Sequence, residues 1–218
     1  MTTSSARSLE GKVSAISGRT LGRLAIASVV YYVLAVLAMH LVQPELDPLA
    51  VPMSVYVLGA YGSVMTTTFF VLCAGILGVG FGLIQTLPRT GAIKVAFWVT
   101  LIASAGFLIA GIFPTDWPPP MRSTSSQLHV LGGLLAFPSM IIATCLFSLK
   151  FRRDGYWRRV SGIALTLSAC VFAAYIMGIF FVAAQFGFIG LVQRLFLALL
   201  FAWMILVGLH LNRAPRAM

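Results

Sequence analysis

Six long apolar stretches, at 24–42, 63–84, 95–113, 128–149, 160–184 and 189–211, leave this chain little choice of solvent. Each is long enough to cross ~30 Å of hydrocarbon as a helix. In lipid every backbone N–H and C=O must be paired inside its own segment, which selects helices. The alternating pattern of a membrane β-barrel is absent. Only 9% of the residues are charged and 60% are hydrophobic, whereas a soluble domain carries about 25% charge. A chain of 218 residues cannot hide that much apolar surface in water. The predicted fold class is therefore all-α: an integral membrane bundle of six transmembrane helices over 21–212. A basic tail precedes it at 1–20 and a short tail follows at 213–218. The first stretch is longer than a signal-peptide core and runs into Gln43-Pro44-Glu45 with no small-residue cleavage site. It is expected to be a retained first span.

The basic residues give the bundle a direction. Thirteen of the 15 Lys and Arg fall on one side. They are Arg7, Lys12, Arg19 and Arg23 before the first span, and Arg89 and Lys94 between the second and third. Lys150, Arg152, Arg153, Arg158 and Arg159 follow between the fourth and fifth, and Arg213 and Arg216 after the sixth. The positive-inside rule then predicts that both termini are cytoplasmic, in a multi-pass protein of the cell membrane. Tyr156 and Trp157 flank the inner edge, Trp117 and Tyr56 the outer one. The net charge of +10 is accounted for by this asymmetry. Anionic membrane lipid is its expected partner, and nucleic acid is not.

Small residues inside the spans have packing roles. Gly78 and Gly82 lie four apart in the second span, a spacing that lets helices approach closely. If the chain is a non-catalytic scaffold, this face is where a second copy or another membrane protein would dock. The run Gly75 to Gly82 lacks the strand-loop-helix setting of a nucleotide loop. Pro138 falls within the fourth span, where a kink is expected. Cys73, Cys145 and Cys170 all lie in apolar runs and read as packing residues, with no metal-ligand spacing. No internal repeat supports an inverted-repeat transporter. A permeation path would need polar groups at mid-depth, and the candidates there are mild: Thr66, Thr67, Thr68, Gln85, Thr100, Ser104, Ser139 and Thr144.

The polar residues that do not set topology gather on the outer side. Glu45 and Asp47 lie in the first outer loop and His40 at the outer end of the first span. Asp116 and Arg122 lie in the proline-rich second outer loop, His129 opens the fourth span, and Gln193 and Arg194 lie near the start of the sixth. Arg194 sits five residues beyond Ile189, or ~8 Å along a helix axis. A charge there either snorkels to lipid phosphate, pairs with a carboxylate (Asp116 first, then Glu45 or Asp47), or binds a ligand. Three chemistries use this set. Asp116 can orient His129 as a general base while Arg194 holds an anionic group, the substrate being a lipid headgroup. Arg122, Gln193, His40 and Glu45 would then line the binding site. Asp116, His129 and His40 can ligate a metal, though not in a recognised spacing. His40 and His129 can clasp a haem. Neither cofactor is expected. No serine or cysteine nucleophile accompanies the set; Ser123, Ser125 and Ser126 lie in a polar loop where serine is ordinary.

The stretch Gly111-Ile112-Phe113-Pro114-Thr115-Asp116, with His129 and Gln193-Arg194, resembles a family of six-span prokaryotic membrane proteins known as domain of unknown function number 998. The resemblance covers residues 20–212. That family is distantly similar to eukaryotic Frag1 and DRAM-type membrane proteins, some linked to lipid-anchor remodelling or autophagy. The resemblance implies the six-span fold and directs attention to Asp116, His129 and Arg194, but supplies no reaction. The leading expectation is a protein that binds or processes a lipid or amphiphile at an outer polar mouth. A small transporter and a membrane scaffold are the alternatives.

Overall fold

The computed structural model describes residues 16–184 and 187–214. Arg7, Lys12 and Arg216, and most of the expected N-terminal tail, lie outside the described residues. Six helices account for most of the described residues: α1 Gly18–Val42, α2 Gly62–Thr86, α3 Gly91–Ile112, α4 Thr124–Phe151, α5 Ser161–Ala183 and α6 Ile189–Arg213. All six are long and apolar enough to cross a membrane. The shortest, α3, has 22 residues and spans roughly 33 Å. Three begin at a side-chain cap. Ser17 accepts from Thr20 N, Thr90 from Ile93 N and Ser123 from Ser126 N, each satisfying an otherwise unpaired N–H. These caps start α1, α3 and α4 a turn before the apolar runs do. Pro138 lies within α4, which continues on both sides of it.

Short connections make the helices alternate in direction, so their ends form two faces. The described basic residues outside Arg122 and Arg194 all belong to one face, here the basic end. At that end the Arg19 side chain donates to Asn212 O, tying the start of α1 to the end of α6.

Backbones pack closely where glycine removes the side chain. A Cβ on Gly22 would stand 2.5 Å from Gly208 O, so α1 and α6 touch through main chain. A Cβ on Gly106 would stand 2.6 Å from both Gly132 O and Ala136 N, so α3 and α4 do the same. Gly78 and Gly82 face inward as well. A Cβ on Gly78 would lie 3.0 Å from Leu21 O, and one on Gly82 2.6 Å from the Leu211 side chain. The expectation that this pair forms a subunit contact is thereby corrected: α1 and α6 of the same chain already occupy the face.

The seam between α4, α5 and α6 is closed in its basic half and open in the other. Trp203 Nε1 donates to Ser148 Oγ at 2.9 Å, and Ser148 and Ser168 share a hydrogen bond at 3.2 Å. The Phe151 and Trp157 rings stack at 4.5 Å below them. Tyr156 and His210 pair reciprocally, the Tyr156 hydroxyl donating to His210 O and His210 Nε2 to Tyr156 O. Along α5 the buried positions are Ser161, Ala164, Ser168, Val171 and Ala174, and none follows. The last two turns of α5 therefore stand away from the core.

Five of the mid-depth hydroxyls expected of a permeation path are turned onto their own helices. Thr66, Thr67, Thr68, Thr100 and Thr144 each donate to a carbonyl three or four residues earlier. Ser104 Oγ is buried without a hydrogen-bond partner among the described residues.

Candidate functional site

Two polar clamps fix the end opposite the basic one. The first joins α3 to α4. Asp116 Oδ2 accepts from Arg122 N and Ser123 N, both at 2.8 Å, and Oδ1 accepts from Ser123 Oγ at 2.7 Å. Ser126 Oγ accepts from Asp116 N at 3.0 Å, and Ser125 Oγ donates to Pro114 O at 2.8 Å. The Asp116 carboxyl is held below its usual range, chiefly by the hydrogen bonds of Ser123 and then that of Arg122 N. His129 completes the clamp from α4. Its Nδ1 lies 2.9 Å from both Ala110 O and Phe113 O at the end of α3. Facing two carbonyls, Nδ1 must carry the hydrogen, which leaves Nε2 as the acceptor in the neutral ring.

The second clamp holds the connection between α1 and α2, which contains a 3-10 turn at Met53–Leu58. Gln193 Oε1 accepts from Met53 N at 2.7 Å. Arg194 NH1 donates to Val51 O at 2.9 Å and to Gly190 O at 3.0 Å. Its NH2 donates to Tyr56 Oη and to His40 Nε2, each at 3.3 Å. Buried Gln43 finishes the connection by donating from Nε2 to Tyr56 O at 3.0 Å and Ala60 O at 2.7 Å. Those bonds support Tyr61, whose φ of 60° is left-handed. Burial raises the Tyr56 phenol above its ordinary value, and Arg194 partly offsets this.

A family model described as a protein of unknown function (DUF998) matches residues 25–210. The chain belongs to that family. No curated protein and no solved structure matches it. The DUF998 match takes in both clamps entire.

Several expected pairings are not made. Asp116 gives its oxygens to backbone N–H groups and Ser123, and His129 takes its orientation from backbone carbonyls. The Asp–His dyad is therefore absent. Arg194 has no carboxylate partner; carbonyls, His40 and Tyr56 surround it instead, because its face of α6 looks toward α1 rather than the α3–α4 loop. The Glu45 and Arg122 side chains are exposed and join neither clamp. Among the described residues no three His, Cys, Asp or Glu side chains gather as a metal site. Asp116, His129 and His40 are thus not a ligand set. His40 and His129 lie in separate clamps, which also leaves no haem clasp.

Between the clamps lies a cavity of ≈510 Å³, within the range of small-molecule sites. It occupies the open half of the seam between α4, α5 and α6. Deep in it are Ala136, Phe137, Ala174 and Phe196; toward the loops are Thr115, His129 and Gln193. It opens sideways past Leu134 and Ile179, which are 59% and 51% exposed on the outer surfaces of α4 and α5. Arg194 does not line it. It lines a second groove of ≈260 Å³ with His40 on the α1–α6 face, which shares Tyr32 and Leu197 with the cavity as a common wall. The single polar mouth expected from the sequence is thus two sites. Sequence reasoning missed the clamp roles of Gln43, which bonds backbone carbonyls, of Tyr56, whose hydroxyl bonds Arg194, and of Ser123, which bonds Asp116. The one signal for Gln43 was a polar residue between an apolar run and proline.

Proposed function

We propose that this DUF998 protein binds an amphiphile, holding its apolar part in the α4–α5–α6 cavity and its polar part against His129 and Gln193. One observation carries the reading: the cavity is apolar in its depth, polar at its loop end, and open toward the surface that faces lipid. Polarity along it therefore follows that of a lipid-like molecule lying in a leaflet. His129 Nε2 and Gln193 Nε2 have no protein partner among the described residues, so an acceptor and a donor remain for a headgroup. The Trp203–Ser148–Ser168 closure below it supports a pocket over a permeation path.

Gly133 offers a test. It lines the cavity, and a Cβ there would meet nothing nearer than Phe137 at 3.9 Å. Gly133→Phe should place a ring in the cavity without a backbone clash, and it removes a helix-weakening glycine. Purified protein in non-ionic detergent would be loaded with lysophosphatidylcholine and the retained lipid counted by native mass spectrometry. Wild type should retain it, and Gly133→Phe should retain at least about tenfold less, a loss of ~1.4 kcal/mol, with an undiminished Tm. Equal retention by the two proteins would sink the proposal.

The distribution of basic residues supports a cytoplasmic basic end, with the cavity in the outer leaflet of the cell membrane. Gly155 has open space around it at the basic end. In whole cells, a cysteine placed there should resist a membrane-impermeant maleimide until the membrane is broken. Labelling of intact cells would reverse the orientation.

A further inference from the structure

Arg194 presents a problem that the cavity does not solve. It is a cation about one and a half turns inside α6, with no carboxylate among its partners. Three of its four neighbours are neutral oxygens. The fourth, His40, must itself be neutral to accept at Nε2, since its Nδ1 lies 2.6 Å from Val36 O and donates there. Besides its hydroxyl, Tyr56 adds a ring whose centroid lies 5.9 Å from the guanidinium carbon. The guanidinium Nε is buried and has no hydrogen-bond partner. Asp47 acts on this guanidinium through space, but no carboxylate among the described residues pairs with it, so its positive charge has no counter-ion in contact.

The surroundings give that charge a direction. Arg194 and His40 stand at the head of the ≈260 Å³ groove between α1 and α6. Below them the groove is walled by Val36, Leu37, Leu197 and Phe201. Leu37 is 56% exposed, so the groove lies on the outside of the bundle, where acyl chains run. A cation at headgroup depth over an apolar channel is complementary to one class of molecule: an anionic phospholipid. Its phosphodiester would neutralise Arg194 and its acyl chain would fill the channel.

We infer that the α1–α6 groove is a second lipid site, separate from the amphiphile cavity, that selects an anionic phospholipid through Arg194. Because the same guanidinium holds Val51 O and Gly190 O, an occupied site also braces the α1–α2 connection against α6. The lipid acts as a counter-ion that the sequence does not encode.

The experiment compares phosphatidylglycerol with phosphatidylcholine, added at equal mole fraction to the purified full chain in non-ionic detergent. Tm is the readout. Phosphatidylglycerol should raise the wild-type Tm by several degrees more than phosphatidylcholine does. Arg194→Gln, which keeps a donor but loses the charge, should abolish that difference. Arg194→Gln removes a clamp residue and can lower the starting Tm, so a second variant is needed. Ala198→Phe narrows the groove from an exposed position on α6 and leaves Arg194 in place; it too should lose the difference. Gly133→Phe should keep it, which separates failure here from failure of the cavity reading. Equal stabilisation of wild type by both lipids, or a full phosphatidylglycerol increment in Arg194→Gln or Ala198→Phe, would overturn the assignment. So would a response to oleate with none to phosphatidylglycerol.

Discussion

Gly106→Val should yield no folded bundle. The first added carbon would fall 2.6 Å from Gly132 O and 2.6 Å from Ala136 N. Both atoms are backbone of α4, so no rotamer change relieves the contact; α3 and α4 must separate along their length. The cost should exceed the ~1–3 kcal/mol usual for an overpacked core, where side chains give way. The reciprocal change should be as severe, since a Cβ on Gly132 would stand 2.7 Å from Gly106 O. The check is size-exclusion chromatography of detergent extracts, in which Gly106→Val should give aggregate only. Gly162→Ala is the control, because nothing lies within 4 Å of that position, and it should elute as wild type does. A monodisperse Gly106→Val peak at the wild-type position would show that the α3–α4 contact does not limit folding.

Trp203→Ala carries the second large effect. Trp203 is 1% exposed and is one of the largest side chains in the core. Truncation leaves a void where α4, α5 and α6 meet, and a loss of about 3–5 kcal/mol is expected. It also removes the donor to Ser148 Oγ. Trp203→Phe keeps most of the volume but not the donor, and should cost about 1 kcal/mol for the hydrogen bond. Titration with sodium dodecyl sulfate, followed by helical circular dichroism, should place the midpoints in the order wild type, Trp203→Phe, Trp203→Ala. A Trp203→Ala midpoint equal to wild type would remove Trp203 from the closure.

The spans were legible because lipid imposes a length and a composition on each one. The stretch at 189–211 became α6 with its first residue at Ile189 unchanged. Faces were not legible, and the reason is physical. A helix apolar on every side has no pattern that separates lipid from core, so sequence could not say which way Arg194 looks. The expectation of Asp116 as its partner rests on side of membrane and on the stiffness of the proline-rich loop around it. The choice ignored azimuth, which sends Arg194 to His40 and Tyr56. Gly78 and Gly82 failed in the same manner: close approach was readable, but not to which helix. Asp116 and His129 stand out in the sequence as candidate acid–base residues. In the structure both bond to backbone groups, because a connection between two membrane helices exposes N–H and C=O groups that need partners.

The last two turns of α5 leave the cavity open to the side. On the proposed reading a guest enters there from the bilayer, so its supply is counted per lipid molecule and not per litre. An affinity quoted in molar units would then drift with the amount of detergent or lipid in the tube, rising on dilution of the micelles while the contacts stay the same. Occupancy should depend on mole fraction alone, and a guest too dilute to detect in the surrounding water can still fill the site.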